Sequence, residues 1–187
     1  IGAQVVLALQ TVVSRNLDPG LPAVISCTEF ITDGIRNAVP SNVIIKGDTR
    51  SYTPAVQALL ETRMREISEG LCRINGAECE FQYSHEFAPT VNSEEYVGLV
   101  VAAATNVVGA GLVRADIEPM MTSEDFGAFL QVVPGNFAFI GNGDKPEKGG
   151  TPLHNATYDF NDDILLTGAR YFAEVARLAL PVGMESR

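Results

Sequence analysis

Apolar residues near the start of the chain fall at helical spacing: Val5, Val6, Leu9, Val12 and Val13 recur every three or four positions and stop before a turn-forming stretch from Asn16 to Gly20. The pattern then changes period. AVISCTEFIT (23–32) and NVIIKGDTRSY (42–52) read as strands separated by the polar, proline-containing DGIRNAVPS, and they are expected to pair as an antiparallel hairpin with a long connection. Thr53 and Pro54 have the chemistry of a helix cap and first helical residue, since the hydroxyl accepts an orphan amide and proline has no amide to satisfy. Val56, Leu59, Leu60, Met64, Ile67, Leu71 and Ile74 continue as one apolar stripe, closed by Asn75 and Gly76 as a left-handed terminus. In AECEFQYSHEF, Cys79, Phe81 and Tyr83 alternate with Glu78, Glu80 and Gln82, the period of a half-buried strand.

The order is therefore helix, strand, strand, helix, strand. One strand added before residue 1 would complete βαββαβ, the split βαβ or ferredoxin-like arrangement of an antiparallel sheet with two helices on one face. The chain also opens inside a helix with no cap in front of it, so it reads as a piece of a longer protein. FAPTVNS (87–93) breaks the pattern, and a domain boundary is expected near residues 86 to 92, giving a first domain of 1–87 and a second segment of 88–187. Beyond it the pattern predicts a helix over 96–108, capped by the Asn-Ser pair before it. A short helix beginning at TSEDF, a buried strand NFAFIGNG, a glycine-rich loop around 141–151 and a last helix from about Asp162 to Leu180 follow, the last capped by Asn161. The fold class expected is α/β overall.

Charge changes the picture by exclusion. Thirteen basic against 23 acidic residues give a formal net charge of -10, so polyanions such as nucleic acid, and anionic membranes, are repelled over most of the surface. No apolar run reaches the roughly 20 residues of a membrane span. The three cysteines, Cys27, Cys72 and Cys79, form no CxxC pair and read as reduced, buried thiols of a cytoplasmic protein.

Candidate chemistry is sparse. His154 lies after a strand and before a helix, where α/β proteins place functional groups. Residue type alone leaves two readings open, a solvated loop histidine, which is the commoner case, or a metal ligand with partners elsewhere. HExxH, HxH and a cysteine cluster are all missing. Glu124 and Asp125 sit at the start of a short helix, where Thr122 or Ser123 as cap and two acids near the dipole are sufficient explanation. FIGNGD lacks the phosphate-loop lysine and the dinucleotide spacing, and reads as a turn. Arg36 and Asn37 are polar residues at a loop tip, Arg50 is an ion-pair partner at a strand end, and His85 reads as structural.

Taken together, MMTSEDFGAFLQVVPGNFAFIGNG followed by TPLHNATYDFNDDIL resembles the carboxyl-terminal signature of the M20 family of metallopeptidases and amidohydrolases, in its N-acyl-amino-acid and hippurate hydrolase branch. NAVP, GDTRSY and APTVN match landmarks of that family's inserted lid domain, in order. The resemblance implies a ferredoxin-like lid that forms homodimers, followed by the carboxyl-terminal part of a zinc-peptidase-like catalytic domain. His154 then corresponds to a ligand of one of two zinc or manganese ions. Glu124 and Asp125 occupy the EDF position near the metals, in a supporting or substrate-positioning role. Asn37 resembles a lid residue that reaches the substrate, often in the neighbouring subunit, and Arg36 replaces the small residue common before it. The family's remaining ligands and its general base lie in an amino-terminal half whose motifs do not occur here, so these 187 residues alone are expected to be inactive. The implied reaction is metal-dependent hydrolysis of the amide bond of an N-acyl amino acid or small peptide. The rival expectation is a non-catalytic dimerisation or small-molecule-sensing module, since split βαβ domains serve both ends.

Overall fold

The computed structural model describes residues 1–180. Two compact units make up the chain: Ile1–Pro89 with Met120–Glu124, and Thr90–Pro119 with the described residues from Asp125 onward.

The first unit is built on a hairpin. Helix α1 (Gly2–Thr11) runs into a single π-turn (Val12–Asn16), then strand β1 (Ala23–Thr32) pairs antiparallel with β2 (Val43–Ser51), and helix α2 (Pro54–Ile74) follows. The expected cap is present, with the Thr53 hydroxyl accepting the Val56 amide at 3.3 Å. Asn75 and Gly76 (φ 69°) close α2 as its sequence predicts. Both helices cover one face of the hairpin. Val5, Leu9 and Val12 meet Ile25 from β1 and Val56 and Leu60 from α2, and Leu60 and Val12 are wholly shielded from water. Cys27 and Ile45 pack against this core, and burial pushes the Cys27 thiol above its ordinary pKa. All three cysteines are free thiols, but half-buried rather than buried.

A bulge sits between Cys27 and Glu29 and changes which residues face the helices. Before it the odd-numbered residues Ile25 and Cys27 turn toward the helices; after it Phe30, opposite Ile45 and close to Gly2 of α1, lies on that side, though half of it stays exposed. The extra residue shifts the alternation by one, as a bulge must.

Residues 77–87 differ from expectation. Their side chains alternate as predicted, with Cys79, Phe81 and Tyr83 half-buried and Glu78, Glu80 and Gln82 exposed, yet their backbone joins no ladder among the described residues. Side chains hold the segment instead. Arg65 of α2 stacks over the Phe81 ring at 4.6 Å and donates to the Phe81 carbonyl at 3.3 Å, and His85 meets Glu61 at 2.9 Å. The Tyr83 and Thr49 hydroxyls are 2.5 Å apart. The hydrogen bonds from His85 and Arg65 hold the Glu61 carboxyl below the usual carboxylate range. His85 is thus structural, as expected. Strand pairing needs a backbone partner at about 4.8 Å, and the alternation alone cannot supply one. Of the expected split βαβ arrangement, only the hairpin therefore appears as a sheet among the described residues.

In the second unit, α3 (Glu94–Val108) packs against α5 (Leu165–Ala179), and a short α4 (Phe126–Leu130) lies between them in sequence. Ser93 stands at the α3 cap position, but its hydroxyl accepts the Gly135 amide at 2.9 Å instead of a helix amide. Its neighbour Asn92 accepts from the Phe137 amide at 2.7 Å and donates to the Phe137 carbonyl at 2.9 Å. NFAFIGNG, expected as a buried strand, has no strand partner among the described residues; at Phe137 the carboxamide of Asn92 takes the place of one. No helix of the described residues is long and apolar enough to cross a membrane.

Helices α3 and α5 are clipped together by Glu174, which accepts from Asn106 at 2.7 Å and from Arg177 at 2.6 and 2.7 Å. These bonds, that from Arg177 foremost, lower the carboxyl from 4.5 to about 2. A group whose pKa falls on folding stabilises the folded state above its unfolded value and loses that contribution as pH drops. Unfolding midpoints should therefore decline between pH 4.5 and about 2. The decline should be shallower in Glu174→Gln; identical slopes for the two proteins would refute the clip.

Candidate functional site

His154 rides on a loop whose shape is imposed by close backbone approaches. After Ile140 and Gly141 the chain reaches Asn142 and turns through residues 143–150, where the Lys148 and Gly150 amides both donate to the Lys145 carbonyl at 2.8 Å. A Cβ on Gly143 would lie 1.8 Å from the Lys148 carbonyl oxygen, and one on Gly149 2.1 Å from that of Asn142. Both glycines also have positive φ, 136° and 70°. A side chain at either position would force the turn open.

The loop then carries His154 outward. The residue is exposed, and among the described residues it is the sole non-glycine with positive φ, at 63°. An L-residue there costs roughly 1–2 kcal/mol, so the surrounding loop must hold it. Asn155 does so directly: its Oδ1 accepts from the Thr157 amide and hydroxyl, each at 3.0 Å, and its carbonyl accepts the Tyr158 amide at 3.0 Å. The loop ends at Asn161, whose side chain caps the turn Asp162–Ile164 before α5 by accepting from the Asp163 amide at 3.2 Å. That cap was expected. Between the loop and α5 lies an open, largely apolar groove lined by Leu153, Tyr158, Phe160, Leu165 and Phe172.

None of the other candidates lies on the loop of His154. Arg36 and Asn37 are exposed at the tip of the β1–β2 connection, which is braced from below by Asp33. Asp33 accepts from the Ser41 and Asn42 amides at 2.9 and 3.0 Å and from the Asn42 side chain at 2.8 Å. Its carboxyl is held low by these bonds, the Asn42 amide foremost. Glu124 is half-buried in the first unit, while Asp125 is exposed in the second. The short helix starts at Phe126, so Asp125, not Thr122 or Ser123, stands at its cap position, and its side chain caps no helix amide. Arg50 pairs with Asp48 at 2.8 Å as expected and also donates to the Met121 carbonyl.

Among the described residues no three histidine, cysteine, aspartate or glutamate side chains converge on a common point. A zinc site needs three or four donors. His154 fits the part of one donor: it is presented to solvent, and its ring makes no hydrogen bond among the described residues. One imidazole is a ligand and not a centre. Residue patterns overlooked Asn142, Asn155 and Asp33, each an amide or carboxylate that braces a loop; asparagine beside glycine was the available signal for the first.

Residues 2–178 match the family model described as peptidase family M20/M25/M40. A hippurate hydrolase of Campylobacter jejuni is 31% identical over 171 residues, 91% of this chain and 43% of that protein. A crystal structure from methicillin-resistant Staphylococcus aureus superimposes with a TM-score of 0.76 at 28% identity, over 94% of this chain and 43% of the other. That of Bacillus subtilis YxeP, a dinuclear metal binding peptidase from the M20 family, gives 0.69 at 24% identity over 94% of this chain and 46% of YxeP, a likeness of fold alone. The chain thus spans less than half the length of these relatives.

Proposed function

This chain belongs to the M20/M25/M40 peptidase family, and from that premise we propose that it is part of a metal-dependent amidohydrolase acting on N-acyl amino acids or small peptides. The observation that carries this reading is the presentation of His154 on strained backbone, held by a loop made of glycine close approaches and asparagine turns. Imidazole is a good ligand for zinc and manganese, and His154 supplies one donor to a pair of such ions, the others coming from the rest of the protein. Such ions polarise a scissile carbonyl and lower the pKa of a bound water. Glu124 and Asp125 support the metal site or position substrate. The first unit is a ferredoxin-like lid that joins a homodimer, and Arg36 and Asn37, on a tip kept rigid by Asp33, contact the substrate.

The test compares this chain with the full-length gene product for bound zinc or manganese and for hippurate hydrolysis. Metal and hydrolysis are expected in the longer protein only. Amino-acid binding without hydrolysis or metal in either protein would overturn the proposal in favour of a sensing module.

A further inference from the structure

We propose that Asn142 is a positioning residue that fixes the pose of His154 by pinning together the two ends of the loop that carries it; this rests on the reading of His154 as a ligand. The Asn142 Nδ2 donates to the Gly149 carbonyl at 2.8 Å and to the Asp159 carbonyl at 3.1 Å, while its Oδ1 accepts the Asn161 amide at 3.0 Å. Gly149 and Asp159 lie five residues before and five after His154. One half-buried side chain therefore uses both amide protons and its oxygen to close the loop at its base.

The demand on residue type is strict. Two carbonyls and one amide must be met at once, and only a carboxamide carries two donors and an acceptor at this reach. Aspartate keeps the acceptor but faces two carbonyl oxygens with a negative charge. Glutamine is one methylene too long for a site this tight against Gly149, which is itself buried. Among the described residues the other side-chain tie across the base is Lys148 to Asp163 at 3.1 Å, whose side chains are 66% and 74% exposed, and such surface pairs contribute little. Asn155 keeps the crown of the loop folded independently of the pin. Without Asn142 the loop should move as a body, carrying the imidazole off its vector, rather than melt.

The experiment uses the full-length gene product loaded with cobalt, in wild-type, Asn142→Ala, Asn142→Asp and His154→Ala forms. Cobalt affinity is read by chelator competition, its coordination by the visible spectrum, and loop order by amide exchange over residues 150–161, with α3 and α5 as the control for intact folding. Asn142→Ala should weaken cobalt binding about tenfold, the low end of the 10- to 100-fold range for groups that orient a ligand. It should also shift the spectrum and speed loop exchange while leaving the helices protected. Asn142→Asp should be worse than alanine, although it is the closer isostere. Wild-type affinity, spectrum and loop exchange in both Asn142 variants, with cobalt lost in His154→Ala, would overturn this inference alone. If His154→Ala binds cobalt like wild type, the ligand reading fails, and unchanged loop exchange in the Asn142 variants would then remove the pin as well.

Discussion

His154→Ala in the full-length protein is expected to lower hippurate hydrolysis by more than about 100-fold, since partners that only orient a metal ligand already cost about 10- to 100-fold when removed. The loss should fall on turnover and accompany loss of bound metal, with the unfolding temperature measured without metal little changed, because alanine keeps the Cβ that this backbone disfavours. Glycine is the informative substitution. At φ 63° the residue sits where histidine is strained by roughly 1–2 kcal/mol, and His154→Gly should relieve that strain while removing the imidazole. A protein in which glycine stabilises the metal-free fold and abolishes hydrolysis is one that tolerates a strained residue for its chemistry. Full activity in His154→Ala would remove the basis of the functional reading.

Leu60→Ala is expected to have the largest effect on stability. Leu60 is completely buried at the centre of the first unit, where α1, β1 and α2 meet. Truncating a leucine in a packed core costs about 2–5 kcal/mol through lost transfer energy and the cavity left behind. For a unit of this size each kcal/mol lowers the midpoint by about 4–8 °C, so a fall of at least about 8 °C is expected by calorimetry. Leu7→Ala on α1 of the same unit is the control: its side chain is 71% exposed, and the midpoint should move little. Equal effects at the two positions would mean that the core has been misplaced.

Much of the first unit was legible because its signals are local. The threonine-proline cap, the apolar stripe of α2 and its asparagine-glycine end each encode their own geometry, and β1 and β2 fall within a residue of the expected limits. Residues 77–87 were legible only by half, and NFAFIGNG less, since it joins no ladder among the described residues and Phe139 and Ile140 are exposed. Alternation dictates which side chains turn inward, and at Cys79, Phe81 and Tyr83 they do; whether the backbone finds a neighbour depends on segments distant in sequence. The bulge was invisible for the same reason, since nothing in SCTEF marks where two residues will oppose one.

For the site the division is sharper. Residue type left His154 undecided, and family resemblance, not chemistry, selected it. Its backbone strain depends on a conformation that no single residue announces. Asn142 lay in a stretch correctly read as a turn, but an asparagine beside glycines looks like ordinary turn chemistry until its three partners are brought together from residues 149, 159 and 161. The acidic pair at 124 and 125 read as acids near the helix dipole behind a Thr122 or Ser123 cap, and the structure puts Asp125 itself at the cap position without using its carboxylate as one.

The irregularity between Cys27 and Glu29 also bears on how this strand can drift in evolution. Because the phase of β1 reverses there, a single-residue insertion or deletion on either side would turn a whole stretch of inward side chains to solvent, whereas paired changes preserve the phase. Lineages of this chain should therefore vary in amino-acid identity at the outward positions of the hairpin while conserving its residue count, with length variation relegated to the long connection between the two strands.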